Sequence, residues 1–107
     1  MSQLYDEEHM HASAEFKELS KEAMEAYLKF QKEVFKDGAL DGKAKELIGL
    51  AVGAALQCAY CIDTHAKKAK AKGATKAELA ETLHIAAAVR AGATMSYGIQ
   101  AFKSVKE

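Results

Sequence analysis

The sequence predicts an all-α fold. Of the 107 residues, 22 are alanine and only twelve are Val, Ile or Thr. That balance favours helices over strands. There is no proline to interrupt a helix. Apolar side chains recur at steps of three and four, the signature of amphipathic helices. The length suits one domain, expected to span residues 1–107 with about five helices and a real but small core.

Residues 1–11 lack periodicity and read as a frayed, solvated tail, with His9 and His11 in it. From Ser13 to Asp37, the positions Phe16, Leu19, Ala23, Tyr27, Phe30 and Val34 form one stripe of a helix, with lysines and glutamates opposite. Such a stripe is core or interface, and Gly38 is its expected stop. Asp41 is a good N-cap for a second helix, with Gly42 just inside it. Leu47 to Leu56 carries no charge, and a helix apolar all round is expected to be buried all round. Gly49 and Gly53 would let a neighbour approach closely. A third helix is expected from near Cys58 to Gly73, its AKKAKAK part forming a solvated basic face. Thr75-Lys76-Ala77-Glu78 is a capping box and starts a fourth helix, expected to end near Gly92. A fifth helix is expected from about Ala93 to Val105, and between Leu83 and Phe102 the only charge is Arg90.

Charge and hydropathy exclude several classes. Fifteen basic residues balance fifteen acidic ones, so no electrostatic argument favours nucleic acid or a membrane surface. The longest uncharged run, Leu47 to Ile62, is too short to span a bilayer. The polar start MSQLYDEEHMH has no apolar core of a signal peptide. These features predict a cytoplasmic protein. No glycine-rich strand-to-helix turn suggests a nucleotide or flavin cofactor, and none is expected.

The chemistry concentrates in LQCAYCIDTHAKKAK, residues 56–70, which holds both cysteines. On a helix Cys58 and Cys61 are i and i+3, with Cα atoms roughly 5 Å apart, within reach of a disulfide. A helix N-terminus favours the thiolate, the reactive form. His65 is i+4 from Cys61 and so stands beside that sulfur, placed to take or hold a proton. Glu46, at the edge of the apolar run, reads either as a half-buried proton carrier or as a solvated first-turn carboxylate. His84 reads as a histidine of the core or of an interface, and Arg90 as half of an interface ion pair.

Glu46, eleven residues, then Cys58-x-x-Cys61-x-x-x-His65 resembles the signature of the alkylhydroperoxidase D-like (AhpD-like) proteins of the carboxymuconolactone decarboxylase superfamily. The similarity continues through GATKAEL and AAAVRAGATMSYG, covering roughly residues 40–102. The resemblance implies a helical domain that assembles as a trimer or hexamer and a thiol-based peroxidase chemistry. The position of Cys61 is then the nucleophile and that of Cys58 the resolving thiol. Glu46 and His65 match a proton relay, and a lipoyl protein or similar dithiol supplies electrons. Founding members carry histidine where this chain has Tyr60. The decarboxylase branch lacks the cysteine pair.

Three readings fit these residues. The first is a thiol-dependent hydroperoxide reductase with catalytic residues Cys61, Cys58, His65 and Glu46. It would act on a small hydroperoxide, with no metal and no cofactor. The second is a general dithiol–disulfide oxidoreductase, or a redox sensor without turnover. The third is a zinc-type site of Cys58, Cys61 and His65 with His84 or Glu46, although no second ligand pair accompanies it.

Overall fold

The computed structural model describes residues 6–107. All regular structure among them is helical, in the order α1 (Glu7–Leu19), α2 (Lys21–Phe35), α3 (Gly42–Ala55), α4 (Ala59–Ala71), α5 (Lys76–Gly98) and α6 (Gln100–Ser104). The chain divides into two compact units, the first ending at Gly38 and the second comprising Ala39–Glu107.

In the first unit the helix starts earlier than its periodicity predicts. Asp6 caps α1, its carboxylate accepting from the His9 amide at 2.9 Å, and Glu7 and Glu8 complement the first turn. Residues 7–11 are therefore helical rather than frayed, and residues 1–5 of the expected tail lie outside the described residues. The single expected helix over 13–37 is broken at Ser20. The Ser20 hydroxyl donates to the Phe16 carbonyl at 2.6 Å, and its backbone leaves the helical region at φ −123° and ψ 38°. A serine bonding back four residues competes with the helix in this way. Helix α2 ends at Phe35, before Gly38, where Lys36 turns extended. The stripe is not core: no residue of α1 or α2 is buried, and Phe16, Leu19, Tyr27, Phe30 and Val34 are exposed.

The second unit is a helical hairpin, α3 and α4, with α5 packed on α3. Asp41 caps α3 as expected, accepting from the Ala44 amide at 2.8 Å. Both turns of this unit have one geometry. After α3, the Gln57 amide donates to the Ala54 carbonyl and the Cys58 amide to that of Gly53. After α4, the Gly73 amide donates to Lys70 and the Ala74 amide to Ala69. This is the Schellman closure, which needs a left-handed residue just past the helix. Gly73 supplies it at φ +95°, and Gln57 supplies it at φ +57°.

The capping box at Thr75 forms in full: its hydroxyl accepts from the Glu78 amide at 3.1 Å, and Glu78 accepts from the Thr75 amide at 2.8 Å. Glu78 also takes an ion pair from Lys43 at 2.8 Å, joining the starts of α3 and α5. Helix α5 does not end at Gly92 but continues to Gly98. Gly92 does not have a positive φ, and without proline or a left-handed residue one glycine only weakens a helix, by about 1 kcal/mol.

The apolar core is small. Among the described residues Leu50, Ala69, Ala74 and Ala86 are its buried members. The expectation that α3 is buried on every face fails: Ile48 and Val52 remain about half exposed. Helix α3 buries one face, Gly42, Glu46, Leu50 and Gly53, against its neighbours. Among the described residues, the face with Ile48 and Val52 is left half exposed.

Candidate active site

The turn between α3 and α4 places the cysteines. Because the Schellman closure ends α3 abruptly, Cys58 arrives in extended backbone as the N-cap of α4. Its Sγ accepts from the Cys61 amide at 3.2 Å, the bond that a serine hydroxyl makes at an ordinary cap. Cys61 is thereby drawn back over the cap. The two sulfurs are joined in a disulfide with Cα atoms 5.2 Å apart. Both residues stay partly accessible.

The antiparallel pairing of α3 with α4 builds the rest. Gly42 lies against Lys72, Gly49 against the His65 ring, and Gly53 against Cβ of Cys61. Cys61, His65 and the fully buried Ala69 occur at i, i+4 and i+8 along α4, one face of a helix. Glu46 belongs to the facing stripe of α3 and is only 3% exposed. Burying a carboxylate is costly unless it is paired, and its Oε1 meets His65 Nδ1 at 2.8 Å. Glu46 is therefore not the solvated first-turn carboxylate of the second sequence alternative, and it is more deeply buried than the first alternative expected. Against an ionised Glu46, which can only accept, the proton of this bond sits on Nδ1. Cys58, Cys61, His65 and Glu46 thus come together along one helix seam.

Other candidates lie elsewhere. Arg90 reaches from α5 to the carbonyl of Ala55 at the end of α3, a backbone contact rather than an ion pair. His84 is exposed on α5, not buried in the chain's core. His11 lies 3.9 Å from Glu7 along α1. Tyr60 is 58% exposed in the first turn of α4. On the basic face, Lys67 pairs with Asp63 at 3.0 Å. Among the described residues no three His, Cys, Asp or Glu side chains are grouped to hold a metal ion, and the two sulfurs of the supposed zinc set are bonded to each other.

Two features of the site are not anticipated by sequence reasoning. The glycines expected to admit a neighbour turn out to face His65 and Cys61 themselves. The signal was available: two glycines four apart on one helix, and Cys61 and His65 four apart on the next. Gln57 in the left-handed region has no such signal, because Gly or Asn is the usual occupant.

Residues 21–104, most of the chain, match the carboxymuconolactone decarboxylase family. The chain belongs to that family. A curated relative, "Uncharacterized protein 4 in cox locus" of Paracoccus denitrificans, is 41% identical over 83 residues, 78% of this chain and 75% of the relative. A Methanobacterium thermoautotrophicum crystal structure superposes with a TM-score of 0.76 at 36% identity, covering 81% of this chain and 98% of that one. The apo form of a carboxymuconolactone decarboxylase family protein from Legionella pneumophila gives 0.71 at 34% identity, over 90% and 86% of the two chains. These neighbours agree with the alkylhydroperoxidase D-like members of the superfamily.

Proposed function

We propose that this family member is a thiol-dependent hydroperoxide reductase. The observation that carries the reading is the buried Glu46 paired with the half-buried His65 at 2.8 Å, set against the helix turn that holds Cys58 and Cys61. In the reduced protein His65 takes the Cys61 proton, directly or through one water, with Glu46 holding the ring. The Cys61 thiolate attacks the terminal oxygen of a hydroperoxide. The O–O bond breaks, Cys61 becomes a sulfenic acid, and the alkoxide leaves as alcohol with the proton from His65. The Cys58 thiol then attacks the Cys61 sulfur, water departs, and the disulfide forms. An external dithiol, of lipoyl-protein or thioredoxin type, returns two electrons and two protons. The cysteine pair favours this chemistry over lactone decarboxylation.

Assembly and location belong to the same reading. The stretch from α5 through α6 leaves Ile85, Val89, Met95, Tyr97, Ile99 and Phe102 exposed, a large apolar surface for one small chain. A homo-oligomer, a hexamer or trimer, would cover it, and light scattering at micromolar concentration is expected to return a multiple of the 11.6 kDa chain mass; a stable single-chain mass would contradict it. Among the described residues no helix is long and apolar enough to cross a membrane, and the proposed compartment is the cytoplasm.

A second reading, a dithiol–disulfide oxidoreductase without peroxide turnover, has one observation in its favour. Tyr60, an exposed phenol, stands where the founding alkylhydroperoxidases carry histidine. Multiple-turnover consumption of an organic hydroperoxide with a dithiol reductant separates the two. The peroxidase reading expects many equivalents consumed per chain, and the alternative expects exchange with disulfides but no such consumption.

A further inference from the structure

Both cysteines are held by a single residue of α3 that carries no chemistry of its own. The Gly53 carbonyl accepts the Cys58 amide at 2.9 Å. A Cβ on Gly53 would lie 2.7 Å from Cβ of Cys61. The atom it would strike is the first carbon of a side chain, fixed by the backbone, so rotation cannot relieve the overlap. The start of α4 would have to move. One turn earlier, a Cβ on Gly49 would lie 3.0–3.2 Å from three atoms of the His65 ring. The other glycines differ in kind. A Cβ on Gly42 would meet the flexible tip of Lys72, and one on Gly92 would meet nothing within 4 Å.

We propose that Gly53 is a positioning residue for the cysteine pair and Gly49 one for His65, the two glycines setting how close α4 lies to α3 and so the redox and proton-transfer behaviour of the seam. The proposal rests on the reading that Cys58 and Cys61 cycle between dithiol and disulfide. Ring closure requires both sulfurs at bonding distance. Cys58 is tied to α3 through the carbonyl of residue 53, and Cys61 lies against α3 only because residue 53 has no side chain. A methyl there displaces Cys61 while the Cys58 amide stays bonded. The disulfide form then loses more stability than the dithiol form. A methyl that merely loosened the hairpin would weaken both forms alike and leave the equilibrium between them unmoved.

The test is a redox titration of the folded protein in dithiothreitol buffers. The Cys58–Cys61 bond breaks and each sulfur gains one electron and one proton, while one dithiothreitol closes to its cyclic disulfide. The ratio is read by acid quench, alkylation and mass. Gly53→Ala is expected to shift the equilibrium toward the dithiol by about tenfold, or about 30 mV for this two-electron couple. Gly92→Ala should leave it where the wild type has it. In the reduced protein, Gly49→Ala should displace the pH profile of Cys61 alkylation. A Gly53→Ala protein with a lower melting temperature but the wild-type equilibrium would overturn the proposal. If Gly53→Ala does not fold, the Gly49→Ala profile decides, and an unchanged profile overturns it. A wild-type pair that dithiothreitol cannot reduce overturns both this proposal and the function beneath it. Normal redox cycling without peroxide turnover strikes the peroxidase reading alone.

Discussion

The α3–α4 hairpin has two ends built alike and used differently. Each end has a glycine of α3 against a residue of α4 or its C-cap, and α4 begins and ends beside the same kind of Schellman turn. At the far end every part suits its place. Gly73 takes the left-handed position, Lys72 crosses Gly42 with a movable tip, and Lys43 pairs with Glu78. At the sulfur end the fit is harder. Gln57 takes the left-handed position, Cys58 fills the role of a capping serine, and the Gly53 contact falls on a fixed carbon. The left-handed Gln57, where glycine is the usual occupant, is backbone strain at the end where the candidate site lies.

Breaking the sulfur end at its centre should have the largest effect. Cys61→Ser is expected to abolish rapid reaction with hydroperoxide, measured by stopped flow. Cys58→Ser should keep one reactive thiol that stops at the sulfenic acid, trapped by dimedone and seen by mass. Fast reaction persisting in Cys61→Ser would reverse the two roles. It would mean that the helix N-terminus at Cys58 outweighs the neighbouring His65.

Next in size is the Glu46–His65 pair. Glu46→Gln keeps the shape of the side chain but removes the charge that holds His65. A positioned acid–base group contributes about a hundredfold or more, so Cys61 alkylation in the reduced protein should slow by about that factor, with helix content unchanged by circular dichroism. An unaltered rate would leave Glu46 as a merely satisfied core residue.

The two turns can be compared directly. Gly73→Ala meets no atom within 4 Å, so its cost is conformational, about 1 kcal/mol. Gln57→Gly relieves the same strain and should raise stability by up to about 1 kcal/mol. Denaturant titration of both variants checks the opposite signs. Two changes of the same sign would show that Gln57 holds the turn by its side chain.

The smallest effect is at the far end and depends on pH. The hydrogen bond from Lys43, aided by the Thr75 amide, holds the Glu78 carboxyl below its ordinary value. The same bond to Glu78 raises Lys43. Stability from Glu78 is therefore present above the ordinary carboxylate range and lost as pH falls through its lowered value. That from Lys43 is present below the ordinary lysine value and lost as pH rises through its raised one. Melting temperatures against pH should show a flatter acid limb in Glu78→Gln, which keeps the capping reach, and a flatter alkaline limb in Lys43→Met.

Much of the site was legible because it is local. Cys58, Cys61 and His65 lie within eight residues, and helix periodicity alone puts Cys61 and His65 on one face. The caps at Asp41 and Thr75 were readable for the same reason. Glu46 was ambiguous because its burial depends on α4 crossing α3, which no local pattern encodes. The break at Ser20 turns on one hydroxyl choosing the Phe16 carbonyl. The continuation through Gly92 turns on the absence of anything that would stop a helix there. The exposed apolar face of α3 could not be anticipated from hydropathy, which reports that a face needs cover and not which molecule covers it.

The most direct measurement is a single-turnover titration of the reduced protein with an organic hydroperoxide. One equivalent should yield one alcohol per chain and a mass loss of two protons, mapped by digestion to a bond between Cys58 and Cys61. Oxidation that instead leaves sulfinic acids on both cysteines with no disulfide, or hydroperoxide that goes unconsumed, would contradict the account.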